Sequence, residues 1–109
     1  MAYKDYKFTP QAVSDIEQAI DYIINEFGDR VAAKKLYDGI FKTIERIRLF
    51  PESTELVDNK LIKNKNVRRA LVDNYLLFYL YDQISEMVIV LRFVHSRRSL
   101  VELLQEVSL

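Results

Sequence analysis

The chain has 109 residues, half of them apolar, and sixteen basic side chains cancel sixteen acidic ones. That length predicts one domain over 1–109, with apolar content enough for a core that needs no disulfide or metal staple. The lack of Cys removes thiol nucleophiles and thiolate metal sites, and the single His argues against a multi-histidine centre, so no metal or cofactor is expected.

Tyr3–Thr9 alternates aromatic and polar residues and predicts a short first strand. Thr9-Pro10 then opens a helix, with Thr as N-cap and Pro at the first helical position, where its missing N–H costs nothing. Val13, Ile16, Ile20, Ile23, Ile24 and Phe27 follow as an apolar stripe, and Gly28 is the natural stop. Asp29 can cap a second helix at once. Its stripe is Ala33, Leu36, Tyr37, Ile40, Ile44 and Ile47, closed by Phe50-Pro51. So short a connection predicts an antiparallel helical hairpin. Gly39 inside the second helix costs ~1 kcal/mol against Ala unless close packing offsets it.

Residues 52–66 are polar and without period, a long connection of the kind that is often functional. Its second half delivers Lys60, Lys63 and Lys65 to the run Val67–Arg98, which organises the chain. Val67–Val72, Tyr75–Tyr81 and Glu86–His95 read as three strands of an antiparallel meander, turned at Asp73-Asn74 and Asp82–Ser85. Glu86–His95 is apolar on both faces, as in a central strand. Ser99-x-x-Glu102 is a capping box opening a short C-terminal helix. The order β-α-α-β-β-β-α predicts an α+β domain: an N-terminal strand and the meander in one sheet, with the hairpin packed on one face.

Charge is unevenly spread. Met1–Asn59 carries eight basic and eleven acidic residues, Lys60–Leu109 eight and five, and Lys60–Arg69 five basic with no acid. This predicts a local patch for an anionic partner, read against the plainer alternative of a solvated basic edge. No apolar run approaches the ~20 residues that span a bilayer, and the opening MAYKDYKFTP lacks a signal-peptide layout. A cytoplasmic protein without a membrane partner is expected.

No phosphate loop, H-E-x-x-H or G-x-S-x-G is present. The best constellation is His95 with Arg69, Arg92, Arg97 and Arg98. A His beside guanidinium groups can move a proton while the arginines hold a phosphate, the functions that RNA cleavage by 2′-hydroxyl attack requires. The plain alternative is a strand-end His and ordinary ion pairs to Asp73, Glu86 or Glu102. Alternation also sets Arg92 and His95 on opposite faces unless a bulge or the strand end reorients one. Tyr75, Tyr79 and Tyr81 offer stacking surfaces for bases, against the commoner reading of sheet packing.

FTPQAVSDIEQAIDYI near the start, FPE after the hairpin, and LLFYLYD followed by VIVLRFVHSRRS make the chain similar to the RelE/ParE superfamily of toxins from bacterial type II toxin–antitoxin pairs, which includes proteins called plasmid stabilisation proteins. The resemblance covers nearly the whole chain. It implies a compact toxin that causes growth arrest and is held inactive by a small antitoxin, as a toxin dimer or a toxin–antitoxin heterotetramer. It also implies one of two targets. RelE-like members are mRNA interferases acting on the ribosome, and ParE-like members are gyrase inhibitors without nuclease chemistry. Carried over residue by residue, Arg69, His95 and Arg97 would be catalytic in the first case, with Arg98 beside them; the basic patch itself makes Lys60, Lys63, Lys65, Arg68, Arg92 and Arg98 candidates to bind RNA or a partner.

The departures matter. Nuclease members commonly place a Tyr after the His or in the final helix, whereas here Ser96 follows His95 and LVELLQEV has no aromatic residue. The spacing of Arg92, His95 and HSRRS, with the long hairpin, sets the chain nearer the gyrase-directed branch. A non-toxic partner-binding domain of the same fold stays open as a third reading.

Overall fold

The computed structural model describes residues 3–57 and 66–97. In chain order they form β1 (Asp5–Phe8), α1 (Pro10–Phe27), α2 (Arg30–Leu49), β2 (Glu55–Leu56), β3 (Arg68–Val72), β4 (Tyr75–Asp82) and β5 (Met87–His95). The five strands make one sheet in the order β1-β5-β4-β3-β2. β1 runs parallel to β5, and every other pairing is antiparallel. The α+β reading, the hairpin and the meander hold; β2, a two-residue strand inside the long connection, was not expected. The predicted C-terminal helix lies outside the described residues.

Local chemistry accounts for the hairpin. The Thr9 hydroxyl accepts the Ala12 N–H at 3.1 Å and Pro10 follows it, while Asp29 Oδ1 accepts the Ala32 N–H at 2.9 Å. Gly28 ends α1 at φ 60°, with its N–H on Ile24 O. The buried face of α1 is rotated from the predicted stripe. Ala12 and Ala19 are fully buried with Ile16, Ile20 and Ile23 packed beside them, while Val13 and Phe27 are exposed. Small side chains let the helix sit close on the sheet, and hydropathy alone ranks them below Val and Phe. In α2 the predicted stripe holds, except that Tyr37 is exposed and Thr43 is buried.

The core has two parts. Leu36, Ile40, Ile44 and Ile47 of α2 meet Ala70, Val72, Leu77, Tyr79, Val88, Val90 and Phe93 on one sheet face. Val57, Val67, Phe78, Leu80, Leu91 and Val94 form a second cluster on the other. Each strand therefore alternates between the two faces. One break interrupts the β4–β5 ladder: Phe78 pairs with Arg92 and Tyr79 with Val90, leaving Leu91 as an extra residue in a bulge. In the first turn of the meander Asp73 takes the left-handed conformation (φ 51°).

β1 ends at Phe8, opposite Val90, so the edge of β5 beyond it needs other partners. Thr9 donates its N–H to Val90 O and its hydroxyl to Leu91 O, and Asp15 of α1 accepts the Phe93 N–H at 3.0 Å. The first turns of α1 thus close the edge that the strand leaves open. No helix among the described residues is long and apolar enough to cross a membrane.

Candidate functional site

The described basic candidates lie on β3 and on β5 or just after it, with β4 between them, and on both sheet faces. Arg69 pairs on β4 with Phe78, a residue of the second cluster, so it projects on the face away from the helices. Its Nη2 reaches Glu55 Oε2 on β2 at 3.0 Å, and Glu55 is its cross-strand partner. With the two side chains 45% and 77% exposed, this pair contributes at most ~1 kcal/mol and leaves Arg69 exchangeable with an outside anion.

His95 pairs with Tyr75, which packs on the helix-covered face. The two rings meet edge-on at 5.5 Å, and Tyr75 stacks on Phe93 at 4.8 Å with 9° between planes. The His95 Nδ1 accepts the Arg97 N–H at 3.3 Å, which puts the proton of the neutral ring on Nε2. Ser96 N–H on Asn74 O at 2.9 Å ties this end of β5 to the turn before β4.

Arg69 and His95 therefore do not converge. They lie two strands and three residues of register apart, which puts their Cα atoms about 14 Å from each other, on opposite faces. Arg92 is held elsewhere: its Nε and Nη2 reach Asp15 Oδ2 and Oδ1 at 2.7 and 3.0 Å. Arg97 is exposed beside His95. Lys60, Lys63, Lys65 and Arg98 lie outside the described residues. Among the described residues no group of three His, Cys, Asp or Glu could hold a metal ion.

The sequence reading missed a polar node behind β3. Arg68 donates to Thr54 O and to Glu52 O (3.2 Å), and the Tyr79 hydroxyl sits between Thr54 Oγ1 at 2.6 Å and Pro51 O at 2.8 Å. Burial pushes the Tyr79 hydroxyl above its ordinary pKa, against the Thr54 hydrogen bond and the nearby Arg68 charge. The node fastens the segment after α2 to the sheet, with both bonds from Arg68 Nη1. Its one visible signal was Tyr79 at the middle of β4, where a buried hydroxyl must find a partner. Tyr75, Tyr79 and Tyr81 all pack toward the helix side, Tyr79 buried and the other two half-buried.

A five-stranded sheet whose N-terminal strand lies parallel to the last strand of a meander, with a helical hairpin on one face, is the architecture of RelE/ParE-type toxins. The toxin–antitoxin complex RelBE2 from Mycobacterium tuberculosis contains a chain that superposes with TM-score 0.59 at 18% identity, over 86% of this chain and 99% of that one. A chain of the chromosomal ParDE toxin–antitoxin system from P. aeruginosa gives TM-score 0.64 at 14% identity, over 85% and 96%. No match to the chain is found among curated proteins. The family described as the ParE toxin of type II toxin–antitoxin systems matches residues 6–100. The chain belongs to that family.

Proposed function

We propose that this protein arrests bacterial growth by binding and inhibiting DNA gyrase, and that a cognate antitoxin neutralises it. The observation that carries the reading is the separation of Arg69 from His95. An RNA-cleaving site needs base, acid and phosphate clamp within hydrogen-bond reach of one scissile group, ~3 Å each. Here the Cα atoms of Arg69 and His95 are about 14 Å apart and their side chains leave opposite faces, so that Arg97 alone of the described arginine candidates stands beside the acid–base candidate. A binding toxin has no such requirement, and its surface can act through dispersed contacts. The antitoxin partner follows from the family and from the two similar structures, which are toxin–antitoxin complexes.

The test is induction of the gene alone in a bacterium, with pulse labelling of DNA and protein synthesis, beside a supercoiling assay with purified gyrase. A halt in DNA synthesis while translation continues, with supercoiling inhibited, is the expected result. An immediate stop in translation with cleaved mRNA would replace gyrase by the ribosome-dependent nuclease reading. No growth effect would make this a non-toxic, partner-binding domain.

A further inference from the structure

The two helices of the hairpin carry opposite charge. α1 has four acidic side chains and no basic one; α2 has six basic and two acidic. Both acids of α2 are bonded within the helix, Asp38 to Lys34 at 2.7 Å and Glu45 to Arg48 at 2.9 Å. Arg30, Lys35, Lys42 and Arg46 make no ion pair among the described residues.

Three of these four stand in one row. Lys35, Lys42 and Arg46 are seven and four residues apart, which at 3.6 residues per turn keeps them within about 40° of arc and strings them over about 17 Å of helix. Lys35 and Lys42 flank Gly39 and Thr43 on the side of α2 that faces β3. Arg46 carries the row on to the sheet, where positive charge from Arg46 and from Arg68 of β3 reaches the Tyr79 hydroxyl. Asp73, the other carboxylate on this side, follows Val72, which packs at Gly39, and so lies toward the Lys35 end.

The neighbours of the row select its partner. A protein partner needs an apolar centre that both surfaces desolvate. Tyr37, the exposed apolar side chain of α2 between Lys35 and Arg46, lies about 200° round the helix from Lys35 and packs on Phe41 at 4.9 Å. Leu71 alternates with the helix-facing Ala70 and Val72 and leaves the other face of the sheet. The exposed Val31 precedes the row by a turn. Unpaired cations in line, without an apolar centre among them, fit the evenly spaced charges of a phosphodiester backbone, to which Lys offers a point charge and Arg a two-pronged donor.

We infer that the flank of α2 formed by Lys35, Lys42 and Arg46 binds a nucleic-acid phosphodiester backbone, that of the duplex DNA on which the proposed target acts. The inference rests on the gyrase reading and deepens it: a toxin seated on gyrase touches the DNA that the enzyme holds. Glu17 and Asp21, exposed on α1, are repelled by the same phosphates and turn the α2 side toward them.

The experiment follows the fluorescence anisotropy of a labelled DNA duplex, and of a single-stranded RNA of the same length, titrated with the full chain over a series of salt concentrations. Three phosphate contacts predict that duplex affinity falls with salt at a log–log slope of about −2.7. Lys35→Gln, Lys42→Gln and Arg46→Gln should each reduce that slope by about one, and the triple variant should lose duplex binding. Lys34→Gln, whose ammonium is bonded to Asp38 off the row, should keep the slope. All four side chains are exposed, so the variants fold. Duplex binding that survives the triple variant, or no duplex binding at low salt, overturns the inference. Binding of RNA alone assigns the row to RNA and overturns it too. A supercoiling assay beside it separates the two readings. A wild type that inhibits supercoiling but binds no duplex loses the row and keeps gyrase. One that binds duplex through the row and leaves supercoiling untouched keeps the row as a DNA site and overturns gyrase.

Discussion

Arg92 of β5 clasps Asp15 of α1 through two hydrogen bonds, and the same carboxylate accepts the Phe93 backbone N–H, so one acidic side chain joins the hairpin to the sheet edge that β1 leaves uncovered. The two side chains are only 8% and 10% exposed. Removing one partner of such a pair strands a buried charge, at about 3–5 kcal/mol. Asp15→Ala and Arg92→Met are therefore each expected to lower the unfolding free energy by that order, the second somewhat less because the stranded Asp15 carboxylate keeps the Phe93 N–H. The double variant Asp15→Leu/Arg92→Met should recover part of the loss. Urea unfolding of the four proteins checks this; a cycle in which the single losses simply add would show that the pair is not coupled.

Tyr79 supplies a second expectation, with a pH signature. Its hydroxyl donates to Pro51 O and accepts from the Thr54 hydroxyl, so Tyr79→Phe leaves the Pro51 carbonyl and the Thr54 hydroxyl without this partner and costs about 1–2 kcal/mol near neutrality. Burial raises the folded-state pKa of this hydroxyl above its unfolded value. A raised pKa means that the folded state holds the proton more tightly. The Tyr79 contribution is then complete below the ordinary Tyr range and lost as pH climbs through it and beyond. Burial also raises Tyr75, which adds to the alkaline loss in both proteins and cancels in the comparison. The gap in stability between wild type and Tyr79→Phe should close as pH rises past about 10. A gap constant from pH 7 to pH 11 would contradict the buried, hydrogen-bonded hydroxyl.

The two glycines predict opposite signs for the same substitution. Gly28 holds φ at 60° with nothing within 4 Å of a new Cβ, so Gly28→Ala suffers backbone strain alone and destabilises by about 1–2 kcal/mol. Gly39 sits inside α2 in ordinary helical conformation, and a Cβ there would touch Val72 Cγ1 at 3.4 Å. Gly39→Ala should stabilise by up to about 1 kcal/mol through helix propensity, with the new methyl in contact rather than in collision. Thermal melts of both variants decide it, and destabilisation by Gly39→Ala would mean that Val72 cannot yield.

Much of this fold was legible because its signals are local. Thr9-Pro10, Gly28-Asp29 and Phe50-Pro51 mark helix ends by side chains that cap, stop or forbid helical hydrogen bonds, and β3, β4 and β5 show their two faces by alternation. What was not legible depends on distant partners. β2 exists because Glu55 and Leu56 lie opposite Arg69 and Arg68, and nothing within 52–66 signals that pairing. Ala12 and Ala19 outrank Val13 and Phe27 in burial because close helix–sheet approach favours small side chains. The bulge at Leu91, the last residue of the apolar run before Arg92, has no glycine or other mark in the sequence. The arginines were the hardest to read: sequence grouped Arg69, Arg92 and His95 by type, whereas register and Asp15, 77 residues from Arg92, send them to separate places.

That separation yields the prediction that bears most directly on mechanism. If growth arrest depends on binding gyrase through dispersed surface contacts, His95→Gln and Arg69→Ala should each leave arrest in place, and neither wild type nor variant should cleave mRNA. Both substitutions spare the fold: Gln keeps a polar group beside Tyr75 and the Arg97 N–H, and Arg69 gives up only an exposed ion pair. Induction of each variant alone, with plating and primer extension on an abundant transcript, reads the outcome. Unchanged arrest in both would place the gyrase contact elsewhere on the surface. Loss of arrest in both, together with wild-type cleavage sites that vanish in the variants, would mean that the two residues are brought to one phosphate by a rearrangement across the sheet, and the nuclease reading would then displace the one proposed here.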